Sequence, residues 1–323
     1  MNAWDIVLST FLAVIPVYLI IGTGWLLRRI HWILPAHESP LMRVALDVCY
    51  PCLILTSMLG NEKLASISFS AQAIAMGFTE LVVGMGVAWG VARLLKLKVG
   101  TGLRTFSLSA GIQNYAFFVI PILMVLFPAK GDPTLGVLMT HNVGCELAVW
   151  TIGIIIIAGG VKNLSAGIFL RGPLMAVVLG LLLGWTGLGS YVAVPPVMNT
   201  LSMFGGCAVP LCMMLFGCTM YDSWERMEWN LRLNVAGVLT RLVIAPMLIL
   251  LLAWALPIDP LIKRIMVLQA AIPSAVIPVI LSKRFGGHPD IATQVLLVTT
   301  LISFLTLPVW LAVGDMLVVP LVP

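Results

Sequence analysis

The fold is decided by two stretches of the sequence, GIQNYAFFVIPILMVLF at residues 111–127 and IMVLQAAIPSAVIPVIL at residues 265–281. Each stretch is apolar and long enough to form most of a membrane-spanning helix. The first stretch carries Gly111, Asn114 and Pro121, and the second carries Pro273 and Pro278. Because proline lacks a backbone donor and its ring clashes with the preceding turn, we expect both helices to break inside the membrane.

The composition of the whole chain places these stretches in a lipid bilayer. Of its 323 residues, 60% are hydrophobic and only 10% are charged, whereas soluble domains have about 25% charged residues. The net charge of +5 does not indicate nucleic-acid binding, because Lys and Arg lie in short loops between apolar blocks, as they do in membrane proteins. Cys49 and Cys52 have a CxxC spacing, but neither a second such pair nor a His pair accompanies them, so we expect no metal and no cofactor.

The chain contains ten apolar blocks of about the length that a transmembrane helix needs, roughly 20 residues. We predict helices at residues 6–27, 41–59, 71–91, 105–127, 134–158, 173–188, 196–220, 233–256, 265–281 and 291–313. The predicted fold class is therefore an all-α membrane protein with ten transmembrane helices.

The basic residues are distributed unevenly over the loops between these helices, and Lys and Arg favour cytoplasmic loops. If the N-terminus is outside, thirteen of them are cytoplasmic: Arg28, Arg29, Arg43, Arg93, Lys96, Lys98, Arg104, Lys162, Arg171, Arg226, Arg232, Lys283 and Arg284. Four are then external: Lys63, Lys130, Lys263 and Arg264. We therefore predict a multi-pass protein of the cell membrane, the inner membrane if the cell is prokaryotic, with both termini external.

The number of helices predicts an internal repeat. Five helices followed by five place the second half of the chain in the membrane with the opposite orientation, as an inverted repeat requires. The two helices that we expect to break are the fourth and the ninth, which hold the same place in the two halves. Broken helices at matching positions indicate a transporter binding site. Two ordinary proline kinks, which membrane helices tolerate, are the alternative.

Asn114 lies beside the expected break of the fourth helix and offers two hydrogen-bond donors and one acceptor. The start of the second half-helix carries partial positive charge, which suits an anion. Pro121 fits the first turn of that half-helix, because the N–H group that proline lacks has no helical partner there. We expect Asn114 to bind a carboxylate, and a helix–helix contact is the alternative.

The seventh predicted helix contains Gly205, Gly206 and Pro210. Small residues let a backbone or a ligand approach closely, and we expect these three residues to interrupt the helix. Tight packing against a neighbouring helix is the alternative.

Ionisable residues inside a membrane are costly and are therefore candidates for function. Glu80 and Glu146 lie in the third and fifth predicted helices, and we expect one of them to bind a proton or a coupled cation such as sodium. A structural pair with Arg241 of the eighth helix is the alternative for either glutamate. Asn142 lies one turn from Glu146 on the same helix face, and Gln269 adds a polar group from the ninth helix.

Three stretches of the sequence are similar to a known family. QAAIPSAVIPVILSKRFGGHPDIA at residues 269–292 resembles the ninth-helix region of the auxin efflux carrier family, and its IP and GGHPDIA elements are similar to the plant PIN-type carriers. RGPLMAVVLGLLLG at residues 171–184 resembles the sixth helix of this family, and VPLCMMLFG at residues 209–217 resembles its seventh. The spacing from Asn114 to Pro121 matches the fourth helix of the family. The long cytoplasmic loop of plant members is absent, as in bacterial members such as malonate carriers.

This resemblance implies two inverted five-helix repeats in which the broken fourth and ninth helices cross. It also implies a homodimer in which helices one, two, six and seven, at residues 1–60 and 171–221, form a scaffold. The other six helices, at residues 71–160 and 232–319, would form a transport domain that moves as an elevator.

The resemblance also implies which residues bind the substrate. Those of the implied substrate site are Asn114, Tyr115, Gly206, Cys207 and Ile277, and those of the crossover are Pro121 and Pro278. Asn114 matches the substrate-binding asparagine of the family. Ile277 and Gly206 stand at or near positions where bacterial or PIN-type members have an asparagine, which implies a smaller or less polar anion than auxin. Glu80 and Glu146 fall near polar or acidic positions of the PIN-type support site.

We therefore expect a secondary transporter that moves a small organic anion, a carboxylate, by elevator-type alternating access. A sodium-coupled symporter of the bile-acid-carrier type is the alternative within transport. A membrane scaffold or sensor without transport is the alternative outside it. We do not expect an enzyme, because HExxH, GxSxG and phosphate-loop motifs are absent from the sequence.

Overall fold

The computed structural model describes residues 3–127, 132–160, 172–224, 227 and 229–321, with side chains described from residue 8 onward. These residues form helices joined by short connections, and no β-strand occurs among them. The predicted all-α class is therefore confirmed for the described part of the chain. The predicted basic loop residues Lys130, Lys162, Arg171 and Arg226 lie outside the described residues.

Ten helical units follow one another along the described residues, and two of them are interrupted. They are α1 (Ala3–Arg29), α2 (Pro35–Met58), α3 (Ile67–Leu94), α4 (Leu103–Gly111 and Val119–Leu126), α5 (Thr134–Ala158), α6 (Gly172–Trp185), α7 (Pro195–Trp224), α8 (Leu231–Ala255), α9 (Pro260–Ala270 and Ile277–Phe285) and α10 (Pro289–Leu317). We call the halves of the interrupted helices α4a, α4b, α9a and α9b. One helical turn at Gly189–Val192 and 3-10 turns at Glu62–Ala65 and Val99–Thr101 lie in the connections. The start of α2 at Pro35, rather than at residue 41, extends that helix past its apolar block, because proline is favoured at a first helical position.

Seven of these helices are long and apolar enough to cross a membrane, counted over the described residues: α1, α2, α3, α5, α7, α8 and α10. The unit α6 has 14 residues, and the halves of α4 and α9 have between 8 and 11 residues each. Several apolar helices in one chain make this a multi-pass membrane protein. The ten crossings remain a prediction.

The helix α7 is continuous over Pro195–Trp224, with Pro210 inside it, so the expected interruption is wrong. A Cβ atom added at Gly205 would lie 2.9 Å from the Cα atom of Leu53 in α2. The small residue therefore lets two helices pack tightly, which is the alternative that the sequence left open.

The two interrupted helices meet at their breaks. The backbone N–H of Asn114 donates to the carbonyl of Pro273 at 2.9 Å, and the N–H of Ala275 donates to the carbonyl of Ile112 at 3.0 Å. This pair of bonds forms an isolated antiparallel bridge between the two chain segments. The breaks, at residues 112–118 and 271–276, are mostly buried and therefore satisfy part of each other's backbone hydrogen bonding.

Glycines bring α3 close to this crossing. A Cβ atom added at Gly84 would lie 2.4 Å from the carbonyl oxygen of Gly111, the last residue of α4a, and one added at Gly77 would lie 2.0 Å from the carbonyl oxygen of His141 in α5. Gly77, Glu80 and Gly84 follow the spacing of one helix face. The close approach therefore points Glu80 at the space between α4a and α5.

Replacing Gly84 tests this packing. Gly84→Ala should lower the free energy of unfolding by about 1–3 kcal/mol, because the added methyl group must push α4a away from α3. Gly86→Ala is the matched control, since it lies on the same helix and a Cβ atom there meets nothing within 4 Å. Unfolding of both purified variants in detergent measures the difference. An equal effect at the two positions would show that the close contact of α3 and α4a is absent.

Candidate functional site

Tyr115 lies in the break of α4 and is held by polar side chains from two other helices. Its carbonyl oxygen accepts a hydrogen bond from Asn142 Nδ2 of α5 at 3.0 Å and another from Gln269 Nε2 of α9a at 3.2 Å. The Gln269 amide also donates to Asn142 Oδ1 at 2.9 Å. All three side chains are buried. We call these residues, with Glu146, the Tyr115 network.

Glu146 receives two hydrogen bonds from neutral donors of this network and its surroundings. The hydroxyl of Tyr115 donates to Oε1 at 2.7 Å, and the indole Nε1 of Trp150 donates to Oε2 at 2.5 Å. The glutamate is half-buried. Four of the predicted site residues, Tyr115, Asn142, Glu146 and Gln269, are thus brought together around one break, although Asn142 and Glu146 were paired only by their spacing along a helix.

A second network, which contains charged residues, lies on the same break. The guanidinium Nη1 of Arg241 donates to Gln113 Oε1 at 3.3 Å, and Gln113 Nε2 donates to Glu80 Oε1 at 3.1 Å. His141 Nε2 lies 3.3 Å from Glu80 Oε2. The four side chains have no exposed surface. We call Arg241, Gln113, Glu80 and His141 the Gln113 network.

The orientation of the Gln113 amide follows from its two neighbours. A guanidinium can only donate hydrogen bonds, and an ionised carboxylate can only accept them. The amide oxygen must therefore face Arg241, and the amide nitrogen must face Glu80. The result is an amide that separates a buried guanidinium from a buried carboxyl group and bonds to both, which reduces the cost of burying them.

The sequence left open a structural pair between Arg241 and one of the two glutamates. That glutamate is Glu80, and the side chain of Gln113 lies between it and Arg241. Sequence reasoning missed both Gln113 and His141. The signal for Gln113 was its place next to Asn114 in the expected break. Nothing in the sequence pattern places α5 so that His141 faces Glu80, because that contact depends on the packing at Gly77.

Asn114, the central residue of the sequence-based site, is buried at the crossing with 6% of its surface exposed. Pro121 and Pro278 are buried in the first turns of α4b and α9b. Ile277 is the first residue of α9b and is half-buried. These four residues therefore lie at the crossing or at the half-helices that start from it.

Gly206 and Cys207 lie elsewhere, on an exposed face of α7. Gly206 lines a cavity of about 340 Å³ between α2 and α7 on one side and α4b and α5 on the other. Its lining includes Ser57, Asn61 and Leu123 but no member of the Tyr115 network. The thiol of Cys207 donates to the carbonyl of Met203 on its own helix.

A larger cavity, of about 720 Å³, lies at the ends of α3, α8 and α10. It is lined by Trp229, Arg232 and Asp290 among others, and its lining contains none of the substrate-binding, crossover or ion-binding residues predicted from the sequence. Among the described residues, no group of three or more His, Cys, Asp or Glu side chains is placed to hold a metal ion.

Comparison with known proteins gives two matches that span most of the chain. A family model described as membrane transport protein matches residues 9–167 and 162–311. An uncharacterized transporter of Methanothermobacter thermautotrophicus is 26% identical in an alignment of 303 residues, and this alignment covers 92% of this chain and 96% of that protein.

The Gln113 network generates a prediction about stability. Gln113→Leu should lower the free energy of unfolding by about 3–5 kcal/mol, because it leaves a buried cation and a buried anion without their shared partner. Gln72→Leu is the matched control, since the Gln72 side chain accepts only a long bond from a backbone N–H, at 3.5 Å, in a partly exposed place. Unfolding in detergent compares the two variants. If the two losses are similar, the Gln113 amide does not stabilise the buried charges.

Proposed function

Because this chain belongs to the membrane transport protein family, whose members are auxin efflux carrier-like, we propose that it is a secondary transporter that moves a small organic anion, a carboxylate. The observation that carries this proposal is the meeting of two interrupted helices by their backbones at residues 112–118 and 271–276. The half-helices α4b and α9b start beside that meeting point. Each start carries partial positive charge, so together they favour a negatively charged ligand.

Interrupted helices are costly in a membrane. Each backbone polar group left without a partner in lipid costs several kcal/mol, and a scaffold or sensor gains nothing from two such breaks. A carrier gains polar backbone groups at the centre of the membrane, where a substrate can reach them from either side in turn. The breaks therefore favour transport over the alternative of a scaffold or sensor.

The proposed substrate site is formed by Asn114 and Tyr115 at the crossing. The amide of Asn114 can donate to a carboxylate without the cost of burying another charge. Ile277, at the start of α9b, supplies an apolar wall, which suits a small anion. Gly206 and Cys207 of α7 would face the substrate across the cavity that Gly206 lines, and that cavity would be the path to the site from one side.

We propose that α1–α5 and α6–α10 are inverted repeats that cross the membrane ten times, with both termini outside. Two features support this proposal: α4 and α9 are both interrupted, and Glu80 and Arg241 lie near the middles of α3 and α8, which hold matching places in the two halves. Gln113 hydrogen-bonds to both Arg241 and Glu80, so its amide links an ionisable side chain of one repeat to an ionisable side chain of the other.

An elevator motion would move α3–α5 and α8–α10, at residues 71–160 and 232–319, against a dimeric scaffold of the other helices at residues 1–60 and 171–221. The Gln113 network supports this division, because its members come from α3, α4, α5 and α8, and Arg241 also bonds to α9a. In contrast, α1 packs along α7, and α2 packs against α7 and α6. Glu80 or Glu146 would bind a coupled ion, such as a proton.

A thermal-shift screen of the purified protein tests the proposed function directly. We expect one or more small carboxylates to raise the melting temperature, and we expect the matching neutral amides to have no effect. The same carboxylates should then enter proteoliposomes that contain the protein. A protein that no carboxylate stabilises and that passes none into liposomes would support the scaffold or sensor instead.

Replacing Asn114 separates the functional role of this residue from a structural one. Asn114→Ala should weaken the binding of the stabilising carboxylate by about 1.5–3 kcal/mol, the value of a lost hydrogen bond to a charged group. Asn199→Ala is the matched control, because Asn199 is exposed on α7. Titration calorimetry with both variants measures the difference. Unchanged affinity in Asn114→Ala would assign this residue to helix packing.

The prolines of the half-helices give a second test of the crossing. Pro121→Ala or Pro278→Ala should let a helix extend across the break, so the melting temperature should stay equal or rise while carboxylate binding weakens. Pro16→Ala in α1 is the control, since Pro16 lies inside a helix that is not interrupted and its replacement should leave binding unchanged. Melting and titration of the three variants give both quantities. A double Pro121→Ala and Pro278→Ala variant that transports at the wild-type rate would remove the site from the crossing.

A further inference from the structure

The end of α9a is a place that attracts a cation. The half-helix stops at Ala270, and the last carbonyl groups of a helix carry partial negative charge. The carboxylate of Glu80 lies nearby, one amide away. In carriers with broken helices, such half-helix ends and unwound carbonyls coordinate the coupled sodium ion.

In this chain a side chain occupies that place. The guanidinium Nη2 of Arg241 donates to the carbonyl of Ala270 at 2.9 Å, and Nη1 donates to Gln113 Oε1 at 3.3 Å. Arg241 has no exposed surface. It lies in a π-helical segment of α8, Thr240–Ile244, and such segments, which locally widen a helix, are frequent at functional sites.

The charges around Arg241 leave no place for a second cation. Glu80 supplies at most one negative charge, Arg241 supplies one positive charge, and Gln113 between them is neutral. His141 faces Glu80 from the other side and can add only positive charge. A sodium ion at the end of α9a would therefore meet a fixed positive charge at close range in a medium of low dielectric constant, where repulsion is strong.

We propose that the guanidinium of Arg241 is a built-in cation that takes the place of a coupled sodium ion at the α9 break, so that this protein works without sodium. The inference rests on the proposed transport function, and it separates that function from the sodium-coupled alternative. It also implies that removal of the Arg241 side chain creates a vacant site for a small cation between Ala270 and Glu80.

The experiment compares melting temperatures of purified protein in detergent. Wild-type protein is measured in sodium chloride and in N-methylglucamine chloride of equal ionic strength. Arg241→Ala is then titrated with guanidinium chloride at millimolar concentrations, below those that denature proteins. The controls are Arg232→Ala, which removes an exposed arginine of α8 that also bonds to a backbone carbonyl, and the double variant Glu80→Gln with Arg241→Ala.

Wild-type protein should melt at the same temperature in both salts. Arg241→Ala should melt at a lower temperature, and guanidinium should restore part of the loss with the logarithmic concentration dependence of a bound ligand. Sodium should also stabilise this variant relative to N-methylglucamine. Neither control should be stabilised by guanidinium or sodium. Arg232→Ala keeps the Arg241 side chain in its place, and the double variant lacks the carboxylate of Glu80 beside the vacant site.

Saturable stabilisation of wild-type protein by sodium would overturn the proposal, as would an Arg241→Ala variant that responds to guanidinium no more than Arg232→Ala. If Arg241→Ala does not fold, Arg241→Lys replaces it. This variant keeps the positive charge, so its melting temperature should be the same in sodium and N-methylglucamine chloride, and the wild-type comparison of the two salts still tests the proposal. These measurements need no substrate. A failed carboxylate screen would therefore overturn the proposed function alone, and a sodium response would overturn this inference alone.

Discussion

Two backbone hydrogen bonds between the breaks of α4 and α9 are the interaction on which the rest of the structure depends. In lipid, a helix can stop only where its backbone groups find other partners. Here the N–H of Asn114 bonds to Pro273 and the N–H of Ala275 bonds to Ile112, so each break supplies partners for the other. If only one of the two helices were interrupted, the backbone groups at its break would lack these partners. The close approach of α3 at Gly84 then encloses the crossing.

The crossing organises the buried polar groups into two networks with different properties. The Tyr115 network joins amides to one carbonyl oxygen and ends in a half-buried glutamate. The Gln113 network holds one cation and one anion apart by an amide and is fully buried. A polar group in a low dielectric is costly unless its partners are complete. The proposed substrate would be recognised beside the first network, while the second would fix the charge of the site without a bound metal ion.

Local patterns predicted much of this architecture, whereas the contacts between distant segments were not predictable. Apolar blocks located the helices, and Pro273 and Pro278 located the break of α9, because both effects act within one or two turns. Whether α7 breaks at Gly205 depends on what that glycine touches, and it touches Leu53, so the prediction of a break was wrong. The partner of Glu80 was equally undetermined by spacing. Gln113 bonds to Glu80, and Arg241 bonds to Gln113, only because segments far apart in the chain are folded together. The π-helical segment that carries Arg241 has no signal in the apolar pattern.

In the proposed carrier the substrate binds where the two breaks meet. Backbone hydrogen exchange, followed by mass spectrometry with and without a carboxylate that stabilises the protein, measures this directly. We expect the carboxylate to slow exchange at residues 112–118 and 271–276 together, because one ligand contacts both breaks. Slowing confined to one break, or centred on the separate cavity that Trp229 and Asp290 line, would contradict it.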